Sequence, residues 1–281
     1  MNKTKLGSKT AKGGFANEKD ICKKFNNWKK DTLAQEWLKI MGYQPDKVDS
    51  VNATQIPTRM KKADLCKFGF SECEYNDFMR FKKADAQIRI VITIGEILKI
   101  ENLSLKKANS NADYNQVDKR TVDMYQVMWG FNDDIALWLK LFTGEKNLFN
   151  NRTLLCGIKM RDKRRVFLNE MPINMQEKII KFFTVNKILV VSDILKGRGG
   201  FSADWMLITK NKQDMSNSWV LKDINTVMNF FGGGDVKISK KGSLYIGKIT
   251  MQRKGGTPDP TKLQFKIHPC NLFFLESKNE N

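Results

Sequence analysis

Three polar side chains of one predicted β-hairpin are the first candidates for chemistry. The stretch KADAQIRIVITIGEILKIENLSLKK (83–107) alternates apolar and polar residues; Asp85 stands near its start, and Ser104 and Lys106 near its end. Because alternate side chains of a strand share a face, the isoleucines and leucines can lie on one face while the three polar side chains gather on or near the other. A plain solvated polar face would have the same pattern.

The chemistry that such residues could perform is metal-dependent cleavage of a phosphodiester. A carboxylate such as Asp85 can hold Mg²⁺, which polarises the phosphate and activates a water, while the ammonium of Lys106 can stabilise the developing charge. Glu18 is a further candidate, because it falls on the apolar side of a predicted helix, where an acid needs a partner or a metal. An acid in the first turn, favoured by the helix dipole, is an equal explanation.

The elements that must position these residues form a mixed α+β pattern, in the α/β or α+β class. The hairpin is predicted over 85–108 and follows an irregular stretch at 43–84. A separate apolar run lies at 188–195. Hydrophobic spacing predicts helices over 16–42, 121–145 (one bent helix or two), 173–185 and 221–234. Strands are predicted over 203–211 and 235–275. Any division into lobes should be compact and fall near 146–160.

Charge limits the possible partners. Lys and Arg total 49 against 30 Asp and Glu, a net charge of +19, which favours a polyanion. The basic residues are spread along the chain rather than concentrated in one amphipathic helix, which favours nucleic acid over a membrane surface. The sequence contains no run of 18 apolar residues, so no transmembrane helix is predicted. Its five scattered cysteines fit a reducing cytoplasm.

Two aspartates compete for the metal-binding role. The hexapeptides RMKKAD (59–64) and RFKKAD (80–85) are near copies, so spacing alone leaves both Asp64 and Asp85 open.

A series of segments in one order resembles the small type II restriction endonucleases of the PD-(D/E)XK superfamily, most closely those that cleave GCGC. The matching segments include LGSKTAKGGFANEKDI (6–21), ADAQIRIVIT, YNQVDK (114–119), YQVMWGF, RDKRRVF (161–167), LVVSDILKGRGGFSADW (189–205), ITMQRKGG (249–256) and LQFKIHP (263–269). The resemblance covers nearly the whole chain except about 53–82, which looks like an insertion. It implies a restriction-endonuclease-like core with a central mixed sheet flanked by helices and a C-terminal β-rich part that reads DNA.

The resemblance also implies catalytic roles. Counting back from Lys106 without a gap, Asp85 rather than Asp64 takes the place of the metal-binding aspartate, Lys106 that of the catalytic lysine, and Glu18 that of a helix glutamate near the metal. The middle polar residue of the family is Asp, Glu, Gln or Asn, and here it is Ser104, a shorter and weaker ligand. The Leu105 carbonyl would then be a direct ligand of Mg²⁺.

Residues expected to bind DNA lie later in the chain. The strands around the turn at 255–260 belong to the base-reading part in the family, and Arg, Lys and Gln suit base edges in the major groove. Tyr114 could wedge between base steps, and the basic segments suit phosphates. The candidates are Tyr114, Gln116, Lys119, Arg164, Arg165, Arg198, Gln252, Arg253, Lys254, Gln264 and Lys266.

These expectations describe a Mg²⁺-dependent type II restriction endonuclease of the bacterial cytoplasm that cuts double-stranded DNA at a short GC-rich, GCGC-like site. We expect a catalytic part over 1–150 and a DNA-recognition part over 151–281, in a monomer or weak homodimer with a cognate DNA methyltransferase as genetic partner. Two other functions stay open: an endonuclease that requires methylated cytosine, and a sequence-specific DNA-binding protein weakened in catalysis by Ser104.

Overall fold

The computed structural model describes residues 17–57, 60–75, 87–108, 114–210, 219–254 and 261–275. Asp85 therefore lies outside the described residues. Within those ranges the fold is mixed α+β, as predicted, and no helix there is long and apolar enough to cross a membrane.

The longer helices of the described chain are α1 (17–26), α2 (Thr32–Ile40), α3 (Val122–Trp129), α4 (Asp133–Thr143), α5 (Ile173–Val185), α6 (Lys187–Leu195) and α7 (Ile224–Gly232). Local signals explain several of their starts. The side chains of Asp31, Thr121 and Asn132 accept hydrogen bonds from the backbone N–H groups of Ala34, Met124 and Ile135. Each side chain thus satisfies an N–H group that the first turn leaves free.

Two five-stranded sheets hold the ten strands of the described residues. The first sheet, in the order β1-β2-β3-β5-β6, consists of β1 (Ser50–Ile56), β2 (Gln87–Ile94), β3 (Ile97–Ala108), β5 (Trp205–Lys210) and β6 (Trp219–Asp223). The second, in the order β4-β10-β9-β8-β7, consists of β4 (Asn115–Arg120), β7 (Val236–Ile238), β8 (Leu244–Ile246), β9 (Ile249–Arg253) and β10 (Leu263–Ile267).

The hairpin of β2 and β3 is centred on a two-residue turn. Ile94 pairs with Ile97, so Gly95 and Glu96 form the connection, and Gly95 has a φ of +56° that favours glycine. A turn of fixed length sets the register of every pair behind it. β3 then pairs in parallel with β5, which makes the first sheet mixed, as predicted.

The first sheet has two different faces. We call one the helix face; it carries Ile88, Ile90, Ile92, Leu103 and Leu105, all buried in one core cluster with residues of α1 and α2. We call the other the polar face; strand alternation places on it Gln87, Arg89, Asn102, Ser104 and Lys106.

The stretch 43–84 is not wholly irregular, so this expectation is wrong. It contains β1, which pairs antiparallel with β2 at the edge of the sheet. It also contains a small cluster of Ile56, Met60, Leu65 and Phe68 that packs on Phe201. The alternation of β1 is weak in the sequence, because its inward residues include Ala53 and Gln55, and polar Asn52 and Thr54 separate them.

The chain divides into two compact units, each built from separate segments. Among the described residues, unit I lies within Lys5–Asn115, Leu195–Val227 and Pro269–Asn281 and contains the first sheet. Unit II lies within Gln116–Ile194 and Met228–His268 and contains nearly all of the second sheet. Residues on both sides of position 150 thus contribute to unit II. The assignment of catalysis to 1–150 and of DNA recognition to 151–281 concerns function and stays a prediction.

Candidate active site and nucleic-acid interface

Ser104 and Lys106 lie together on the polar face of β3. Ser104 has 0% and Lys106 4% of its surface exposed, and Gln87 of β2 lies directly opposite Ser104. The interpretation of this pattern as a solvated polar face is therefore wrong. A lysine is almost never fully buried without interactions, which marks this position as specialised.

Asp64, the other aspartate of the repeated hexapeptide, makes local contacts. It lies in a short helix, Lys62–Leu65, where its carboxylate accepts a hydrogen bond from the Lys61 N–H at 3.3 Å and pairs with Lys67 Nζ at 3.4 Å. These local contacts give Asp64 a structural role in unit I. Asp85 precedes Gln87, the first described residue of β2, by two residues.

Glu18 lies at the same end of the first sheet as Lys106 but over its other face. Its side chain is 6% exposed, and its Oε2 accepts a hydrogen bond from Gln55 Nε2 at 3.3 Å. In the preceding position, Asn17 Oδ1 accepts from the Thr209 hydroxyl at 3.0 Å, and Thr209 is the neighbour of Lys107 across β3 and β5. The first described turn of α1 therefore crosses the helix face beside this end of β3.

Leu105 lies between Ser104 and Lys106 on β3, but its side chain points to the helix face and packs in the core there. It pairs with Leu207 of β5. Its carbonyl oxygen was implied as a metal ligand, and this role stays a prediction.

The donors near this end of the sheet fit a hard divalent cation. On the polar face these groups are the Ser104 hydroxyl and the amide oxygen of Gln87, whereas the Glu18 carboxylate lies over the other face; Mg²⁺ prefers such oxygen ligands. The Gln87 Oε1 atom is buried and has no hydrogen-bond partner in the described part of the chain. Among the described residues no three His, Cys, Asp or Glu side chains come together as a metal cluster.

An aromatic cover closes part of the polar face in unit I. The Arg89 guanidinium lies 5.0 Å from the ring centre of Phe70 and 5.9 Å from that of Phe201. Behind it, the Asn102 N–H donates to Asp204 Oδ2 at 2.9 Å. Burial raises the pKa of Asp204, against the opposing effects of that hydrogen bond and of nearby Lys196 and Arg89.

Four of the predicted DNA-binding residues share one face of the second sheet. Gln252 of β9 lies directly opposite Gln264 of β10, and Lys266 opposite Thr250, so alternation brings Lys254 to the same face. The opposite face carries Met251 and Phe265; Phe265 packs edge-on against Tyr125 and Trp129 of α3. The sheet thus presents one polar and one apolar face.

Three lysines concentrate positive charge at the end of this sheet. The Lys254 N–H donates to the Lys262 carbonyl at 3.0 Å, which joins β9 and β10 next to β4. Burial, and then the charges of Lys254 and Lys262, lower the pKa of Lys119 on β4. Such a cluster favours binding of an anion, because a nearby negative charge offsets the repulsion among the three lysine ammonium groups. Lys262 was not among the residues predicted to bind DNA.

Arg253 and Arg165 converge on an acid in unit II. Arg165 Nε lies 3.5 Å and Arg253 Nη1 3.9 Å from Asp162 Oδ2, and Arg164 pairs with the same carboxylate at 3.1 Å. Hydrogen bonding from Arg164 is the main cause that lowers the pKa of Asp162. Register places Arg253 opposite Leu263, on the other face of the sheet from Gln252.

The remaining candidates lie in loops or at strand ends. Tyr114 is 53% exposed just before β4, and the Asn115 side chain donates to the Lys107 carbonyl at 3.3 Å, so this start of β4 is tied to β3 within unit I. Gln116 is half-buried on β4, and Arg198 is half-buried just before the turn that carries Phe201.

The fold matches that of a restriction endonuclease. A crystal structure of the restriction endonuclease MspI in complex with its cognate DNA superposes with a TM-score of 0.58 at 11% sequence identity, covering 94% of this chain and 92% of that chain. No curated protein sequence gives a significant match.

Residues 76–273 match the family model of the R.HinP1I restriction endonuclease, and the chain belongs to this family. It is thus a type II site-specific deoxyribonuclease, and double-stranded DNA is its substrate. The match begins after the segment 60–75 that carries Phe68 and Phe70.

Proposed function

We propose that this endonuclease cleaves DNA at a short GC-rich, GCGC-like site and that it requires Mg²⁺. The observation that carries the catalytic part is the burial of Ser104 and Lys106 together on the polar face of a hairpin within the family match. The specificity rests on the likeness of the sequence segments to enzymes that cleave GCGC, together with the polar face of the second sheet.

In this proposal Asp85, Glu18 and the Leu105 carbonyl hold the metal ion. Asp85 precedes Gln87 by two residues in the sequence, and Gln87 lies opposite Ser104. When bound, the ion polarises the scissile phosphate and lowers the pKa of the attacking water. The Lys106 ammonium, held on a buried strand rather than a loop, orients that water and stabilises the charge that develops on the phosphate. Ser104 contributes a hydroxyl beside it.

Base recognition falls to the second sheet. Gln252 and Gln264 present paired amides, which can both donate to and accept from base edges, and Lys254 and Lys266 suit guanine. The DNA phosphates are bound by a second set of residues, which strengthens DNA binding without selecting a sequence. This set consists of Lys119, Arg164, Arg165, Arg198 and Arg253. Gln116 approaches the bases, and the exposed Tyr114 ring wedges between base steps.

The biological setting follows from this activity. A site-specific endonuclease in a cell requires protection of the host's own sites, so a cognate DNA methyltransferase is the proposed genetic partner and the cytoplasm the proposed compartment. We propose a monomer or weak homodimer, with catalysis in 1–150 and recognition in 151–281.

The direct test is digestion of a mapped plasmid with the full-length protein and Mg²⁺, followed by sequencing of the ends. Discrete fragments with one common short sequence at every end support the proposal, and so does their loss when the metal is chelated. A shifted band without cleavage would instead indicate the DNA-binding function that Ser104 leaves open. Cleavage confined to methylated plasmid would indicate an enzyme that requires methylcytosine.

A further inference from the structure

Among the described residues, three buried polar atoms on the polar face of the first sheet have no hydrogen-bond partner. They are Gln87 Oε1, Arg89 Nη1 and Asn102 Oδ1, on side chains of which at most 8% of the surface is exposed. Buried polar groups are nearly always hydrogen-bonded, so each of these three calls for an explanation.

The free oxygen of Gln87 has a defined identity. Gln87 Nε2 donates to the Phe201 carbonyl at 3.0 Å, and a carbonyl can only accept, so this contact fixes which end of the amide is which. Oε1 is therefore the acceptor that remains, in a side chain that is 0% exposed.

Gln87 also lies next to Ser104, the residue at which this chain departs from the family's catalytic pattern. It is directly opposite Ser104, whose hydroxyl is the shortest and weakest of the oxygen groups that could occupy that position. Side chains of such a pair start about 4.5–5.5 Å apart at their Cβ atoms, so the longer glutamine side chain can reach the space in front of the serine.

We propose that Gln87 Oε1 is a ligand of the divalent ion and replaces the middle polar side chain that Ser104 is too short to supply. This inference rests on the proposed metal-dependent function. A neutral amide oxygen is an ordinary ligand for Mg²⁺ and Ca²⁺. The other two unpartnered groups are less suited, because Arg89 is a cation and Asn102 lies opposite Arg89, farther along β3 from Lys106.

The test measures binding of Mn²⁺ alone to the full-length protein by calorimetry, together with thermal unfolding with and without Mn²⁺. Gln87→Glu replaces the amide oxygen by a charged one and should tighten Mn²⁺ binding by about 10-fold or more, whereas Gln87→Met should weaken it by about 10- to 100-fold. Without metal, Gln87→Glu should unfold at a lower temperature, because a carboxylate then faces the Phe201 carbonyl, and Mn²⁺ should restore that temperature.

The matched control is Asn102→Asp, which adds the same charge to a buried amide on the same face and should leave Mn²⁺ affinity unchanged. Equal tightening by Asn102→Asp and Gln87→Glu would overturn the inference, because it would reflect charge alone. If Gln87→Met does not fold, Gln87→Glu decides the question. If Asp85→Ala loses Mn²⁺ binding while Gln87→Glu binds Mn²⁺ with unchanged affinity, the metal site stands and only the role of Gln87 is overturned. Unchanged binding in Asp85→Ala overturns the proposed metal site itself.

Discussion

Gln252 and Gln264 face each other across β9 and β10, with their amides on the polar side of the second sheet. We expect Gln252→Ala to reduce the preference for the correct base at one position of the site by about 1–3 kcal/mol, because a paired amide reads one base edge. The measurement is the ratio of cleavage rates on the cognate site and on sites with one substituted base pair. Lys237→Ala removes an exposed charge on β7 and serves as the control, whose ratio should not change.

Lys106 and Lys107 are adjacent, but strand alternation directs their side chains to opposite faces. We expect Lys106→Met to lower the cleavage rate by about 10²–10³-fold with DNA binding retained, since a group that stabilises developing charge acts mainly on the chemical step. Lys107→Met should cut at nearly the normal rate. Single-turnover cleavage and a band-shift assay measure the two effects, and equal losses in both variants would contradict the assignment.

The two aspartates of the repeated hexapeptide should behave differently. Asp85→Ala should abolish cleavage and leave DNA binding largely intact, because it removes a proposed metal ligand. Asp64→Ala should remain active, since the Asp64 carboxylate makes local contacts with Lys61 and Lys67. The opposite result in the plasmid assay would show that Asp64 holds the metal.

Lys119 should make DNA binding sensitive to alkaline pH. Its pKa is lowered in the folded protein, so it loses its proton at a lower pH than an ordinary lysine. DNA favours the charged form, and affinity should therefore fall as the pH rises through that lowered pKa. Lys119→Arg stays charged and should show a shallower decline; binding titrations between pH 7 and about 10 compare the two proteins. Identical slopes would show that Lys119 does not contact DNA.

Gly200 leaves no room for a side chain beneath Phe70. A Cβ atom there would lie 2.3 Å from ring atoms of Phe70, so Gly200→Ala should lower the free energy of unfolding by about 1–3 kcal/mol. In the background of Phe70→Ala the same change should cost much less, because the obstructing ring is gone. Denaturant unfolding of the four proteins of this cycle tests the contact, and additive effects would argue against it.

The hairpin was predictable because its strands alternate clearly and its turn is short. That same turn, Gly95–Glu96, sets the register, so the sequence already contained the signal that Gln87 lies opposite Ser104. Strand alternation alone puts Gln87 on the polar face, but parity does not reveal which buried oxygen lacks a partner.

Other features depend on packing that no local pattern encodes. The run at 188–195 is the helix α6, although a short apolar run rich in Val and Ile is equally typical of a buried strand. The burial of Lys106, and the cover of Arg89 by Phe70 and Phe201, arise from segments distant in the chain. Such contacts decide whether a polar residue is solvated or enclosed.

Unit I takes its residues from three separated segments, the last of which starts at Pro269. Contacts between segments so far apart in the chain form late, because loop closure over long separations costs entropy. During synthesis the strand that carries both Ser104 and Lys106 therefore completes its packing only after residues made much later. We expect nascent chains on the ribosome to have no cutting activity, which delays any threat to the host's DNA until translation has passed residue 269.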